Sequence, residues 1–274
     1  MHEFRALVSD LDGTLLDPAG QLTPRTEAAL RRARWHGWKL ALATARPARL
    51  VTEALGVHID LFDALLVSNG AAVFAVSDER FTVEVPIAQD SATEIVQCLR
   101  AAWPGCGCGW EVGQRFEHDR AFEEIAARRR IIRHLDGEAV TRPAGPVHQI
   151  VMATPGEHGA EMLDEVAALV GPGITVTDSA GGVVELSAEG ADKASALHAW
   201  AGAAGFDMTQ VLAFGDGMND LTMLAAAGYS VAMANAPAEV RAAARAVTGS
   251  NSEDGVAAVL ESLLGFSAPG CGAR

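Results

Sequence analysis

The chain has 274 residues, 49% of them hydrophobic and 20% charged, which supplies a buried core and length for about two domains. A formal charge of −14 argues against non-specific binding to nucleic acid or to anionic membranes, since both require basic surface. No apolar run approaches the roughly 20 residues of a membrane helix, and the first ten residues lack the basic and apolar segments of a secretory signal, so a cytoplasmic location is expected.

Residues 4–9 read as a short, continuously apolar strand ending at Asp10, the pattern of a strand buried on both faces of a parallel sheet. A helical pattern covers 24–37, with Thr23 or Thr26 as its cap and Gly37 as its end. Strand 39–44, a helical stretch through Leu55 and strand 64–68 follow, the last stopping at the turn Asn69-Gly70. This alternation is that of a doubly wound α/β unit. The pattern then changes. Residues 72–76 and 81–85 form two antiparallel strands around Ser77-Asp78-Glu79, closed by Pro86. Helix 90–102, a Gly/Cys/Trp-rich stretch 104–113, a basic helical stretch 121–134, strand 147–152, helix 157–170 and strand 174–178 make an inserted α+β module. Alternation resumes with strand 183–187, helix 191–204, strand 210–214, a Gly/Asp turn, helix 219–227, strand 229–233 and helix 237–244, and residues 267–274 read as a loose tail.

Of the four cysteines, Cys98, Cys106, Cys108 and Cys271, only 106 and 108 are close, and their C-x-C spacing with no second Cys/His pair is not a zinc pattern. Reduced thiols are expected. The basic residues are nearly all arginine, with lysine only at Lys39 and Lys193.

Four local patterns carry chemistry. Asp10-Leu11-Asp12-Gly13-Thr14 follows the first strand. On an extended backbone, acids two apart aim to one side, here outside the carboxyl ends of parallel strands, where open α/β sheets bind ligands. Such neighbours repel unless they share a cation or hold a proton. Gly215-Asp216-Gly217-Met218-Asn219-Asp220 adds acids at a second strand end, and the two clusters together suggest a hard, oxygen-liganded cation such as Mg²⁺. Asn219 or Asp220 equally suits a helix cap. Thr44 closes strand 39–44, where its hydroxyl and the following amides could hold a phosphate oxygen or simply cap the turn. Lys193 enters a helix after Gly190-Ala191-Asp192 and suits a phosphate as a compact charge, although a solvated helix lysine is the plainer reading of that residue alone.

Taken in order, these patterns resemble the haloacid dehalogenase superfamily of phosphohydrolases, in particular its Cof-type branch. D-x-D-G-T lies at 10–14, the Thr motif at 44, N-G-A at 69–71, the lysine at 193 and G-D-G-x-N-D at 215–220, with VAMANA at 231–236 and SEDGVA at 252–257 near the end. The resemblance covers the whole chain. It implies an α/β fold: a doubly wound, Rossmann-like parallel-sheet core of residues 1–85 and 185–274, and an inserted α+β cap, 86–184, that closes over the site and chooses the substrate. It implies a Mg²⁺-dependent phosphatase acting on a small phosphomonoester, a sugar phosphate or phosphorylated cofactor, through an aspartyl phosphate. A phosphotransferase or mutase using the same intermediate is the alternative.

The roles follow residue by residue. Asp10 would be the nucleophile, and Asp12 the general acid for the leaving alcohol and then the base for water. Mg²⁺ would be held by the Asp10 carboxylate, the Asp12 backbone carbonyl and Asp216, with Asp220 binding it directly or supporting it from behind. Thr44, Lys193 and Asn219 would hold phosphate oxygens. Ion pumps of the superfamily lack the second aspartate, so Asp12 argues for a phosphatase or mutase. Two departures from the usual pattern are Thr44-Ala45-Arg46 for Thr-Gly-Arg and Met233-Ala234-Asn235-Ala236 for Met-Gly-Asn-Ala. In the cap, Arg128, Arg129, Arg130, Arg133 and His134 form the one basic cluster, expected to be a solvated helix face although a second anionic group of the substrate is the other reading. Trp103 and Trp110 could stack on a sugar or base, although cap-core packing is the expectation, and His118 and His148 have no assigned partner. A monomer without nucleic-acid or membrane partners is expected.

Overall fold

The computed structural model describes residues 4–129, 137–156, 160–178 and 183–266. The chain begins with β1 (Ala6–Ser9), α1 (Pro24–Trp35), β2 (Lys39–Ala43), α2 (Ala48–Leu55), β3 (Ala64–Val67), β4 (Ala72–Ala75) and β5 (Arg80–Glu84). It continues through α3 (Gln89–Ala102), β6 (Gly107–Val112), β7 (Arg115–His118), α4 (Arg120–Arg129), β8 (Gly137–Ala139), β9 (Gln149–Ala153), α5 (Ala160–Val170), β10 (Ile174–Asp178) and β11 (Val184–Ala188). It ends with α6 (Lys193–Ala204), β12 (Val211–Gly215), α7 (Leu221–Ala226), β13 (Tyr229–Ala232), α8 (Ala238–Ala243), β14 (Ala246–Val247) and α9 (Gly255–Leu264). Two compact units result, residues 1–83 with 192–274, and residues 84–191. Among the described residues no helix is long and apolar enough to cross a membrane.

The first unit holds an eight-stranded sheet in the order β14-β13-β12-β1-β2-β3-β4-β5. β1 lies in parallel register between β12 and β2, and β3 continues the parallel set. The apolar strands are explained by helices on both faces. Leu7, Leu40, Leu42, Leu65, Leu212 and Phe214 pack with Ala29, Leu30 and Ala33 of α1 and Leu260 of α9. Ala6, Val8, Ala41, Ala43 and Leu66 face Leu197 and Trp200 of α6 and Leu224 of α7. Thr23 caps α1 by accepting the Thr26 N–H, with Pro24 in the first turn. Asp192 caps α6 in a reciprocal box with Ser195, which starts that helix at Lys193.

The second unit has a six-stranded sheet, β10-β11-β9-β6-β7-β8. Cys106, Cys108, Trp110, Ile150 and Met152 meet Ile95 and Leu99 of α3 and Val166 of α5, while Phe116 and Ala153 meet Phe122 and Ile125 of α4. The unassigned stretch 104–113 therefore holds a strand, Gly107–Val112. Its glycines are contact points: a Cβ at Gly107 would strike the backbone of Ala121 and Phe122, and one at Gly109 the Phe116 ring. The Trp110 Nε1–H donates to Glu117 Oε2 at 2.9 Å, so this indole is a core group of the unit. His118 lies buried against the rings of Phe116 and Phe122, and His148 Nε2 is 2.6 Å from Glu84 Oε2. Arg128 pairs with Glu124 on the exposed face of α4, and Arg129 donates to the Thr154 carbonyl, whereas Arg130, Arg133 and His134 lie outside the described residues. The expected start of helix 157–170 and the tail 267–274 also lie outside them. Elements not anticipated are the second strand β7, the short β8 and β14, a 3-10 turn at Gly56–Leu61, and α9.

Candidate active site

Because β1, β2, β3 and β12 run parallel, their carboxyl ends lie along one edge of the sheet. Asp10 follows β1, Thr44 follows β2, Ser68 follows β3 and Asp216 follows β12. The Asp10 N–H donates to the Phe214 carbonyl at 2.9 Å, extending the β1–β12 pairing to the first acid. The chain then turns at once. Residues 11–15 form a tight loop closed by the Leu16 N–H on the Leu11 carbonyl, with Gly13 at φ +80°. A side chain at Gly13 would run into the Asp216 carboxylate, so this position needs glycine on both counts.

Across this turn the two motif carboxylates take different partners. Asp10 is buried, and its Oδ1 accepts from Lys193 Nζ at 2.6 Å. Asp12 is half exposed, and its carboxylate accepts from Arg46 Nε at 2.7 Å and Nη2 at 2.5 Å. The acids that do converge are Asp10, Asp216 and Asp220, each offering a carboxylate oxygen within 4.8 Å of the others.

Lys193 Nζ also donates to Asp220 Oδ1 at 2.5 Å, and its side chain is fully buried. Asp220 Oδ2 accepts the backbone N–H groups of Asp216 and Gly217 at 2.9 and 2.8 Å, which shapes the loop carrying Asp216. Both Asp220 oxygens are thereby engaged. Asp216 Oδ1 accepts from the Thr14 hydroxyl at 2.7 Å, and Oδ2 from Asn235 Nδ2 at 3.3 Å. The same Asn235 nitrogen donates to the Gly13 carbonyl at 2.8 Å, tying the two acid loops together.

The electrostatics follow from burial. Three carboxylates against one ammonium leave two negative charges in a largely dry place. Burial pushes Asp10 up to about 7, with Asp220 and Asp216 adding to the rise and Lys193 opposing it. Asp216 is also raised, first by burial and then by Asp220, against the Thr14 hydrogen bond. Burial alone would lower Lys193, but the charges of Asp10 and Asp220 outweigh it and hold the ammonium above the ordinary lysine value. Three close carboxylate oxygens are a hard donor set that suits Mg²⁺.

Thr44 is buried, and its Oγ1 accepts the Arg46 N–H at 3.1 Å, so the hydroxyl keeps its own proton to donate. Asn219 is exposed at the same sheet edge, with Nδ2 on Asn69 Oδ1 at 3.0 Å. The two Gly-to-Ala departures are accommodated, since neither Ala45 nor Ala234 is among the residues with positive φ. Sequence reasoning did not single out Thr14, Arg46, Asn69 or Asn235 as site residues. Each lies inside a motif already marked, so motif neighbourhood was the available signal.

The haloacid dehalogenase-like hydrolase family matches residues 7–260. A putative phosphatase of Haemophilus influenzae is 30% identical, over 94% of this chain and 97% of its own. The pyridoxal phosphate phosphatase YbhA of Escherichia coli is 26% identical, over 95% of this chain and 98% of its own. The crystal structure of a haloacid dehalogenase-like hydrolase from Bacteroides thetaiotaomicron aligns with a TM-score of 0.78 at 25% identity, over 95% of this chain and 99% of that one. With the fold, the acid cluster and these relatives in agreement, the chain belongs to the haloacid dehalogenase-like hydrolases, alongside their Cof-type phosphatases.

Proposed function

We propose that this chain is a Mg²⁺-dependent phosphatase that hydrolyses small phosphomonoesters through an aspartyl phosphate on Asp10. The observation that carries the reading is the buried Asp10–Lys193–Asp220 arrangement beside Asp216, at the sheet edge that also presents Thr44. A carboxylate approaches a phosphate dianion only when charge is screened. Lys193 supplies part of that screening, and two of its three N–H donors are used by Asp10 and Asp220, leaving one for a phosphate oxygen. Asp10, Asp216 and the Asp12 carbonyl would hold Mg²⁺, which when bound screens the phosphoryl charge. With both oxygens already engaged, Asp220 suits the supporting part, fixing Lys193 and the Asp216 loop.

The Asp10 carboxylate attacks phosphorus as the ester oxygen departs, and Asp12 gives that oxygen a proton. Water then attacks the aspartyl phosphate while Asp12 takes the proton back. Dividing one displacement into two lowers the barrier of each. Thr44, Lys193 and Asn219 hold the phosphoryl oxygens. The unit of residues 84–191 would select the ester, and the likeness to a pyridoxal phosphate phosphatase favours a phosphorylated cofactor. The test is phosphate release from a panel of small phosphomonoesters, with Mg²⁺ and with chelator, for the wild type and Asp10→Asn. Metal-dependent release that Asp10→Asn abolishes supports the reading. Release that survives the chelator or the substitution overturns it.

A further inference from the structure

We propose that Arg46 is a positioning residue for Asp12, fixing the direction in which the proton reaches the leaving group. The inference rests on the reading of Asp12 as acid and base. Arg46 meets Asp12 fork to fork, Nε on Oδ2 and Nη2 on Oδ1, at 2.7 and 2.5 Å. Two parallel bonds fix the plane of a carboxylate as well as its place, which a single ammonium does not. Each Asp12 oxygen retains a lone pair beyond those bonds, so the group can still give and take a proton. The pair is about one-third exposed on the arginine side and half exposed on the aspartate side. Exposed ion pairs add little to the stability of a fold, so fold stability is a poor account of this geometry.

Arg46 is anchored from its backbone outward. Its N–H donates to Thr44 Oγ1, and its carbonyl accepts the Ser68 N–H at 3.0 Å. Thr44 is bonded in turn through its N–H to Leu66 and through its carbonyl to the Asn69 N–H, at 2.8 and 3.0 Å. The ends of β2 and β3 are thus laced together at the backbone of Arg46. The lacing requires strained backbone. Ser68 and Asn69 sit at φ +50° and +54°, a left-handed region that residues other than glycine seldom occupy. Ser68 is fully buried, and its hydroxyl has no hydrogen-bond partner. Gly70 continues the run at φ +96°, where a Cβ would strike the Asp192 carbonyl at the start of α6. The same strained turn that abuts the helix of Lys193 therefore also seats Arg46. Burial without a hydrogen bond and left-handed φ at two non-glycine residues are costs kept where they hold a functional geometry.

The test separates the proton-dependent step from the rest. An alkyl phosphate needs a proton on its departing oxygen, whereas 2,4-dinitrophenyl phosphate releases a stable phenolate that needs none. Arg46→Gln should lower steady-state turnover of the best alkyl ester of the panel by roughly 100-fold. With the dinitrophenyl ester it should keep a rapid burst of one phenolate per enzyme, followed by slow turnover, because water attack still needs Asp12 as base. Asp12→Asn should show the same split, the double variant should be no worse than Asp12→Asn, and Arg46→Lys should recover part of the loss. Loss of the burst together with alkyl turnover, or multiplying losses in the double variant, would overturn the assignment. Asp10→Asn marks the underlying reading separately: it should abolish the burst with the dinitrophenyl ester and turnover of the alkyl ester. If it leaves release intact, the phosphatase reading fails, and the Arg46 assignment falls with it.

Discussion

Replacing Lys193 by methionine removes the one cation between Asp10 and Asp220 while keeping most of the side-chain volume. Both carboxylates are buried, and both lie within 2.6 Å of the ammonium. Deleting one partner of a buried ion pair costs about 3–5 kcal/mol, because the other charge is left without compensation. For a chain of this size that is a fall in melting temperature on the order of 10 °C. The loss has a pH signature. Asp10 in the folded protein titrates at about 7 against an ordinary 3.8, so the folded state binds more protons than the unfolded chain between those values, and stability falls as pH rises across them. Lys193 works against that rise, so its removal lifts Asp10 further and extends the loss to higher pH. The deficit of Lys193→Met should be smaller near pH 5, where Asp10 is protonated, than at pH 8, read by calorimetry in chelator. Adding Asp220→Asn should recover part of it by removing one of the opposed charges. A variant that melts with the wild type at both pH values, or a deficit that does not change with pH, would refute the electrostatic account.

Protons and Mg²⁺ should compete for Asp10, so the Mg²⁺ concentration giving half-maximal activity should fall as pH rises from 6 to 8, and a flat dependence would count against Asp10 as a ligand. Asn235→Ala removes the donor shared by Asp216 and the Gly13 carbonyl, and should raise the Mg²⁺ concentration needed for thermal stabilisation roughly 10-fold with little change in melting temperature in chelator.

The legible parts of the molecule were those in which one stretch of chain carries its own pattern. The apolar runs at β1, β2 and β3 announce strands covered on both faces, and the acids directly after β1 and β12 announce the ligand edge. β6 was hidden because Gly107 and Gly109 lower the strand signal, yet they are glycine so that α4 and the Phe116 ring can lie against the strand. The partners of Asp12 were not legible because alternation describes only an extended chain, and here the chain turns directly after Asp10. Asn235 and Arg46 escaped notice for another reason. Their partners lie 222 and 34 residues away, and such pairings become visible only when the strands are assembled.

The central claim is the covalent intermediate, and it can be caught directly. Asp12→Asn, given Mg²⁺ and 2,4-dinitrophenyl phosphate and quenched in acid, should carry one phosphoryl group on the peptide containing Asp10, located by mass spectrometry. Phosphate on any other residue, or release of phenolate and phosphate in step with no phosphorylated peptide, would contradict the account.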